Sequence, residues 1–122
     1  MGEARAKSTL YLGKPYILKY QGKIETPGEY QVLINKTITE NKSYRMYQAF
    51  VSCAFEGHWR VKLNDEVVGS GRTGPANKDS FFYFIPYLPI KKDDVIILEY
   101  CSRSGIPLNS VSIEAYIQSG EI

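Results

Sequence analysis

The sequence predicts an all-β fold, an antiparallel β-sandwich of jelly-roll type with an N-terminal extension. Three observations carry this. His58-Trp59-Arg60-Val61-Lys62-Leu63 alternates strictly, with Trp59, Val61 and Leu63 on one face and His58, Arg60 and Lys62 on the other, the period-2 signature of a half-buried strand. Seven or eight such segments recur at intervals of roughly ten residues, separated by Gly, Pro, Asn and Asp turns. No segment holds the i, i+3, i+4, i+7 pattern over three turns, so no long helix is expected. Ten tyrosines and five phenylalanines against two methionines point the same way.

Each element has its own justification. Met1 to about Lys7 is small and charged with no face to bury, and reads as an arm. Leu10 to Tyr20 and Glu29 to Thr39 read as strands, with turns at Gln21-Gly22-Lys23 and Thr26-Pro27-Gly28. In the second, Tyr30, Val32 and Ile34 alternate with Gln31, Leu33 and Asn35, so both faces are partly apolar. Tyr44 to Phe55 reads as a long strand with Ala49, Val51, Cys53 and Phe55 on one face. Asn64-Asp65-Glu66 breaks the chain after Leu63, and Val67-Val68-Gly69-Ser70-Gly71 resumes it, which makes a hairpin. The loop 73–78 leads to a nearly all-aromatic strand, Ser80 to Ile85, closed by Pro86-Tyr87-Leu88-Pro89. Lys91-Lys92-Asp93-Asp94 turns the chain into Val95 to Tyr100. The last strand is Val111 to Ile117, with Val111, Ile113, Ala115 and Ile117 inward. This divides the chain into residues 1–43, an arm and β segments for anchoring or oligomer contacts, and residues 44–122, the sandwich body.

At 122 residues one domain is the natural expectation. The formal charge of +2 is too small to indicate nucleic acid. Residues 1–61 carry nine Lys/Arg and five Asp/Glu (+4) and the remainder six and eight (−2), with no basic run. The start lacks the apolar core of a secretory signal, Ala6 breaks a myristoylation site, and no apolar stretch is long enough to span a bilayer. A product of a cytoplasm is therefore expected, with no membrane partner, and Asn35-Lys36-Thr37 and Asn41-Lys42-Ser43 read as chance glycosylation acceptors. Cys53 and Cys101 fall in strands and read as buried thiols, a single bridge across the core being the alternative.

Little in the chain points to catalysis. Gly69-Ser70-Gly71-Arg72-Thr73-Gly74 matches G-x-G-x-x-G, but Pro75-Ala76-Asn77-Lys78-Asp79 and then an aromatic strand follow it, so no βαβ unit is available to hold a pyrophosphate and the glycines read as loop formers. His58 is the only histidine, so any Ser-His, Cys-His or His-metal chemistry must run through it. Asp65, Glu66, Asp93 and Asp94 sit in turns. No enzyme activity, metal or cofactor is expected.

The binding candidates are aromatic and cationic. Tyr16, Tyr20 and Tyr30 are candidate interface residues, because interfaces favour tyrosine. Arg72 and Arg103 stand in similar loops, Gly71-Arg72-Thr73-Gly74-Pro75 and Ser102-Arg103-Ser104-Gly105-Ile106-Pro107, each after a β segment. They read either as turn chemistry or as one binding rim reaching carboxylates of a neighbour.

From Met46 to Gln118, Phe55-Glu56-Gly57-His58-Trp59-Arg60-Val61, Val68-Gly69-Ser70-Gly71-Arg72-Thr73-Gly74-Pro75-Ala76, Phe84-Ile85-Pro86 and Asp93-Asp94-Val95-Ile96 resemble small jelly-roll modules of tailed-bacteriophage virions. Such modules occur in head-decoration proteins and in collar or tail fibres; the first 40 residues lie outside the resemblance. It implies a homo-oligomeric, preferably trimeric, structural role and partners among viral capsid or tail proteins. It also implies a place in the virion after synthesis in host cytoplasm, and offers no catalytic residues. The expected function is thus a virion structural protein that binds and stabilises a particle. The alternative is a carbohydrate-binding β-sandwich in which Trp59, Tyr83 and Tyr87 stack on a surface glycan. Exposed, coplanar aromatics favour the sugar; buried aromatics with a large apolar subunit interface favour assembly.

Overall fold

The computed structural model describes residues 14–103 and 111–122. Eight strands follow one another: β1 (Pro15–Lys23), β2 (Tyr30–Thr37), β3 (Tyr44–Cys53), β4 (Gly57–Leu63), β5 (Glu66–Thr73), β6 (Asp79–Ile90), β7 (Val95–Ser102) and β8 (Ser112–Glu121). They form two four-stranded sheets, β1-β8-β3-β6 and β2-β7-β4-β5, and every pairing is antiparallel. The chain passes back and forth between the sheets so that β8 returns between β1 and β3, and β7 between β2 and β4. That is the jelly-roll order, and the expected all-β sandwich is present.

The division at residue 43 does not appear in this architecture. β1 pairs with β8 from Pro15↔Gly120 to Lys23↔Ser112, and β2 pairs with β7 from Tyr30↔Cys101 to Thr37↔Val95. Without β1 and β2, one long edge of β8 and one of β7 would be left without backbone partners, so the first strands belong to the body. The expected arm, Met1 to Lys7, lies outside the described residues.

The strand alternation places the core between the sheets. Val51, Met46 and Ala49 of β3 and Ile113 and Ile117 of β8 meet Trp59 and Val61 of β4 and Ile96, Leu98 and Tyr100 of β7, all nearly inaccessible. Trp59 is 1% exposed, as its alternation predicts, and its indole N–H donates to the Ser80 hydroxyl at 2.9 Å. Gly71 passes beside that indole: a Cβ there would stand 2.5 Å from Trp59 Nε1 and 2.5 Å from Ser80 Oγ. The glycine motif is therefore strand β5, where Gly69 and Gly71 make room for Phe82 and Trp59. Tyr100 brings a hydroxyl into this core, and it meets the Phe55 carbonyl at 3.1 Å and the Thr73 hydroxyl at 3.0 Å. Burial, with the Cys53 thiol beside it, pushes the Tyr100 phenol well above its ordinary pKa.

Irregularities decide which residues face where. Asn64 and Asp65 both take positive φ (52° and 68°) between the paired residues Leu63 and Glu66, a two-residue turn of the kind that closes twisted hairpins. The Asn64 side chain donates to Asp94 Oδ1 and accepts from Val95 N, each at 2.9 Å, which ties this turn to the start of β7. A bulge at Tyr47 shifts β3 by one residue, so Tyr44 and Met46 face the core before it and Ala49, Val51 and Cys53 after it. A second shift at Leu33 lets the consecutive Leu33 and Ile34 both be buried, while Tyr30 and Val32 stay exposed. β6 was expected to stop before Pro86. It runs on to Ile90, because it is an edge strand and an edge tolerates proline. Between Gln48↔Tyr83 and Met46↔Leu88 it swings out of register, which leaves Ile85 89% exposed.

Candidate binding faces

The outer face of β1-β8-β3-β6 is organised in three rungs. The middle rung pairs Lys19 with Tyr116, Tyr116 with Phe50, and Phe50 with Phe81 across all four strands. Tyr116 and Phe50 stack with centroids 4.7 Å apart, Phe50 and Phe81 lie 4.8 Å apart, and Phe81 is followed on β6 by Tyr83 at 6.0 Å. The Phe81 and Tyr83 rings are parallel to within 7° and are 44% and 58% exposed. Edge and centre strands thus build a continuous ring surface on a rigid sheet.

The flanking rungs bring in the polar groups. One pairs Ile17, Gln118, Gln48 and Tyr83; the other pairs Gln21, Glu114, Ser52 and Asp79. Gln48 Nε2 donates to the Tyr116 hydroxyl at 3.4 Å, and Ser52 donates to Asp79 at 2.7 Å. Two open depressions border Tyr116, one of about 390 Å³ toward Gln21 and Glu114, and one of about 200 Å³ toward Ile17 and Gln118. An apolar platform edged by amides, carboxylates and a hydroxyl can stack a ring and hydrogen-bond its rim at the same time.

The outer face of β2-β7-β4-β5 has a different character. Arg60 lies over the Tyr30 ring at 3.9 Å and donates to Glu99 at 2.5 Å, and Lys62 pairs with the same carboxylate at 3.2 Å. His58 stands opposite Arg72 on one side and Cys101 on the other. Its Nε2 is 3.0 Å from Arg103 Nη1; a guanidinium only donates, so Nε2 is the acceptor.

The sequence candidates distribute unevenly over these surfaces. Tyr16 and Tyr20 are on the inner face of β1, Tyr16 stacked on Tyr44 at 4.5 Å and the Tyr20 hydroxyl accepting from Gln31 at 3.4 Å. The outward residues of that strand are Ile17, Lys19 and Gln21, so a contact made through β1 would use those. Tyr30 is 41% exposed but on the opposite sheet, beneath Arg60. Arg72 and Arg103 lie at one end of β2-β7-β4-β5, on either side of His58. Of the three residues offered for sugar stacking, Tyr83 is on the platform. Trp59 is in the core, and Tyr87 has Arg45 against its ring at 4.8 Å. Cys53 points into the core and Cys101 outward, and both are free thiols, so the bridge alternative does not occur. Among the described residues no three His, Cys, Asp or Glu side chains gather in a metal-binding group.

Phe50, Phe81 and Tyr116 were not singled out from the sequence, although the signal was present. If Ala49 and Val51 face inward, Phe50 faces out, and if Ala115 and Ile117 face inward, so does Tyr116. An aromatic residue on the solvent side of an alternating strand is the feature that marks them.

No protein-family model matches the chain, and no curated protein matches it. Among solved structures, the insecticidal delta-endotoxin Cry8Ea1 of Bacillus thuringiensis is similar at TM-score 0.40 and 13% identity, over 91% of this chain and 19% of that one. Dimeric latent PorU of Porphyromonas gingivalis is similar at TM-score 0.40 and 11% identity, over 88% of this chain and 13% of that one. This chain thus spans less than a fifth of the length of either protein.

Proposed function

We propose that this protein is a carbohydrate-binding β-sandwich module that works without catalysis, its ligand lying across the outer face of β1-β8-β3-β6. The supporting observation is the Tyr116–Phe50–Phe81–Tyr83 platform, whose exposed Phe81 and Tyr83 rings are parallel to within 7°. A pyranose ring has an apolar C–H face and a rim of hydroxyls. The platform supplies aromatic area for the face, and Gln48, Gln118, Glu114 and Asp79 supply acceptors and donors for the rim. The rings are mounted on strands, so little is ordered on binding. The test is titration calorimetry against a panel of neutral oligosaccharides, with Phe81→Ala and Tyr83→Ala as controls.

A second reading, the virion structural protein implied by the bacteriophage resemblance, has one specific observation in its favour. Phe50 and Phe81 have no polar atom, and Ile17 (44% exposed) and Ile85 (89% exposed) add aliphatic area on the same sheet. A neighbouring capsid or tail protein, or a further copy in a trimer, would then cover the platform. Mass measurement of the purified protein and co-sedimentation with particles separate the readings. Assembly predicts an oligomer or particle binding lost on Tyr83→Ala, with no affinity for sugars.

A further inference from the structure

The second sheet carries a site of its own, independent of the platform because it faces the other way. An open depression of about 600 Å³ lies over β4 and β5, with Tyr30 and Val67 as walls and His58, Arg60, Ser70 and Arg72 among its lining. The charges around it are unevenly satisfied. Glu99 is buried and already holds both Arg60 and Lys62. Among the described residues the Arg72 side chain makes no hydrogen bond or ion pair, although it stands directly opposite His58. Arg103 gives one N–H to His58 Nε2 and has no carboxylate among its described partners, and the segment 104–110 that follows it contains no acidic residue. Two guanidiniums thus flank one imidazole whose remaining ring donor is Nδ1–H, and among the described residues no carboxylate pairs with either of them.

We propose that this depression binds an acidic saccharide, with a carboxylate or sulfate-ester oxyanion held by Arg72 and the Arg103–His58 pair. Arginine presents two parallel N–H groups to such an oxyanion, which lysine cannot reproduce. The Ser70 hydroxyl and the apolar walls remain for the sugar ring. Ring and anion are recognised together, so a free inorganic anion is the weaker ligand.

The experiment is titration of the full chain with an oligogalacturonate hexasaccharide (carboxylate), a heparin hexasaccharide (sulfate ester), cellohexaose (neutral) and inorganic sulfate, at two salt concentrations. At least one acidic hexasaccharide is expected to bind more tightly than cellohexaose and than sulfate, and to weaken as salt rises. Arg72→Gln is expected to lower that affinity about tenfold or more, and Arg72→Lys to restore only part of it. Arg72 is exposed on a strand, so an unchanged thermal midpoint checks the fold, and any neutral-sugar binding by the platform is expected to persist in Arg72→Gln. Equal affinity for acidic and neutral hexasaccharides, sulfate binding without hexasaccharide binding, or full affinity in Arg72→Gln would overturn the proposal. Loss of self-association or particle binding in Arg72→Gln, without acidic-sugar binding by the wild type, would assign the arginines to a neighbouring subunit and overturn it as well.

Discussion

Gly71 lies so close to Trp59 that a methyl group on its α-carbon would stand 2.5 Å from the indole nitrogen and 2.6 Å from Cε2. The same indole reaches across to Ser80 on the other sheet, so one glycine on β5 sets how closely the two edge strands β5 and β6 approach. Gly71→Ala is expected to destabilise the fold by about 1–3 kcal/mol through overpacking. Trp59→Phe is expected to cost a similar amount, about 1–3 kcal/mol, because it leaves the buried Ser80 hydroxyl without its donor. Denaturant midpoints of the two variants check this; wild-type midpoints would mean that the sheets do not meet through Trp59.

Alkaline pH is expected to unfold the protein through Tyr100. Burial raises its folded-state pKa above the unfolded value of 10.0, so the folded protein keeps a proton that the unfolded chain gives up. Its contribution is fully present below pH 10 and is lost progressively as pH rises above it toward the folded value. Tyr16 and Tyr44, also raised by burial, add in the same direction. Chemical denaturation between pH 8 and 12 checks the slope, and Tyr100→Phe is expected to flatten it while lowering stability at pH 8 by removing the contacts to Phe55 and Thr73.

The two thiols are expected to differ in reactivity. Cys53 is 2% exposed in the core and Cys101 is partly open on the outer face of β7, so Cys101 is modified first in the native protein and Cys53 only on unfolding. Counting thiols with a chromogenic disulfide before and after denaturant reads this directly. A single mixed-disulfide rate for both, or no free thiol in denaturant, would contradict the facing of β3 and β7.

Much of this fold is written in local alternation. His58 to Leu63 shows which face Trp59 takes, and the polar break that begins at Asn64-Asp65 marks the turn that joins β4 to β5. The bulges are not written there. Nothing in Arg45-Met46-Tyr47-Gln48 signals that Tyr47 is the extra residue, because bulging depends on what β8 and β6 present to it. The aromatic run Phe81 to Phe84 is unreadable for a related reason: with apolar residues at every position, either face can be inward until Phe50 supplies the partner. The platform is a property of three strands far apart in sequence, so its residues were each legible as outward-facing but not as neighbours. Tyr16 and Tyr20 fail in the opposite sense, since tyrosine content suggests a surface while the edge of a core uses the same side chain.

The most direct test of the account is the affinity of the wild type and Tyr83→Ala for the best neutral oligosaccharide in a calorimetric panel. Tyr83 is 58% exposed, so its removal leaves the core intact and the thermal midpoint nearly unchanged. The account predicts measurable binding by the wild type and a loss of about tenfold or more in Tyr83→Ala, equivalent to about 1.4 kcal/mol of stacking. Sugar binding that Tyr83→Ala leaves intact, or no sugar binding by a wild-type protein that sediments with particles, would contradict it.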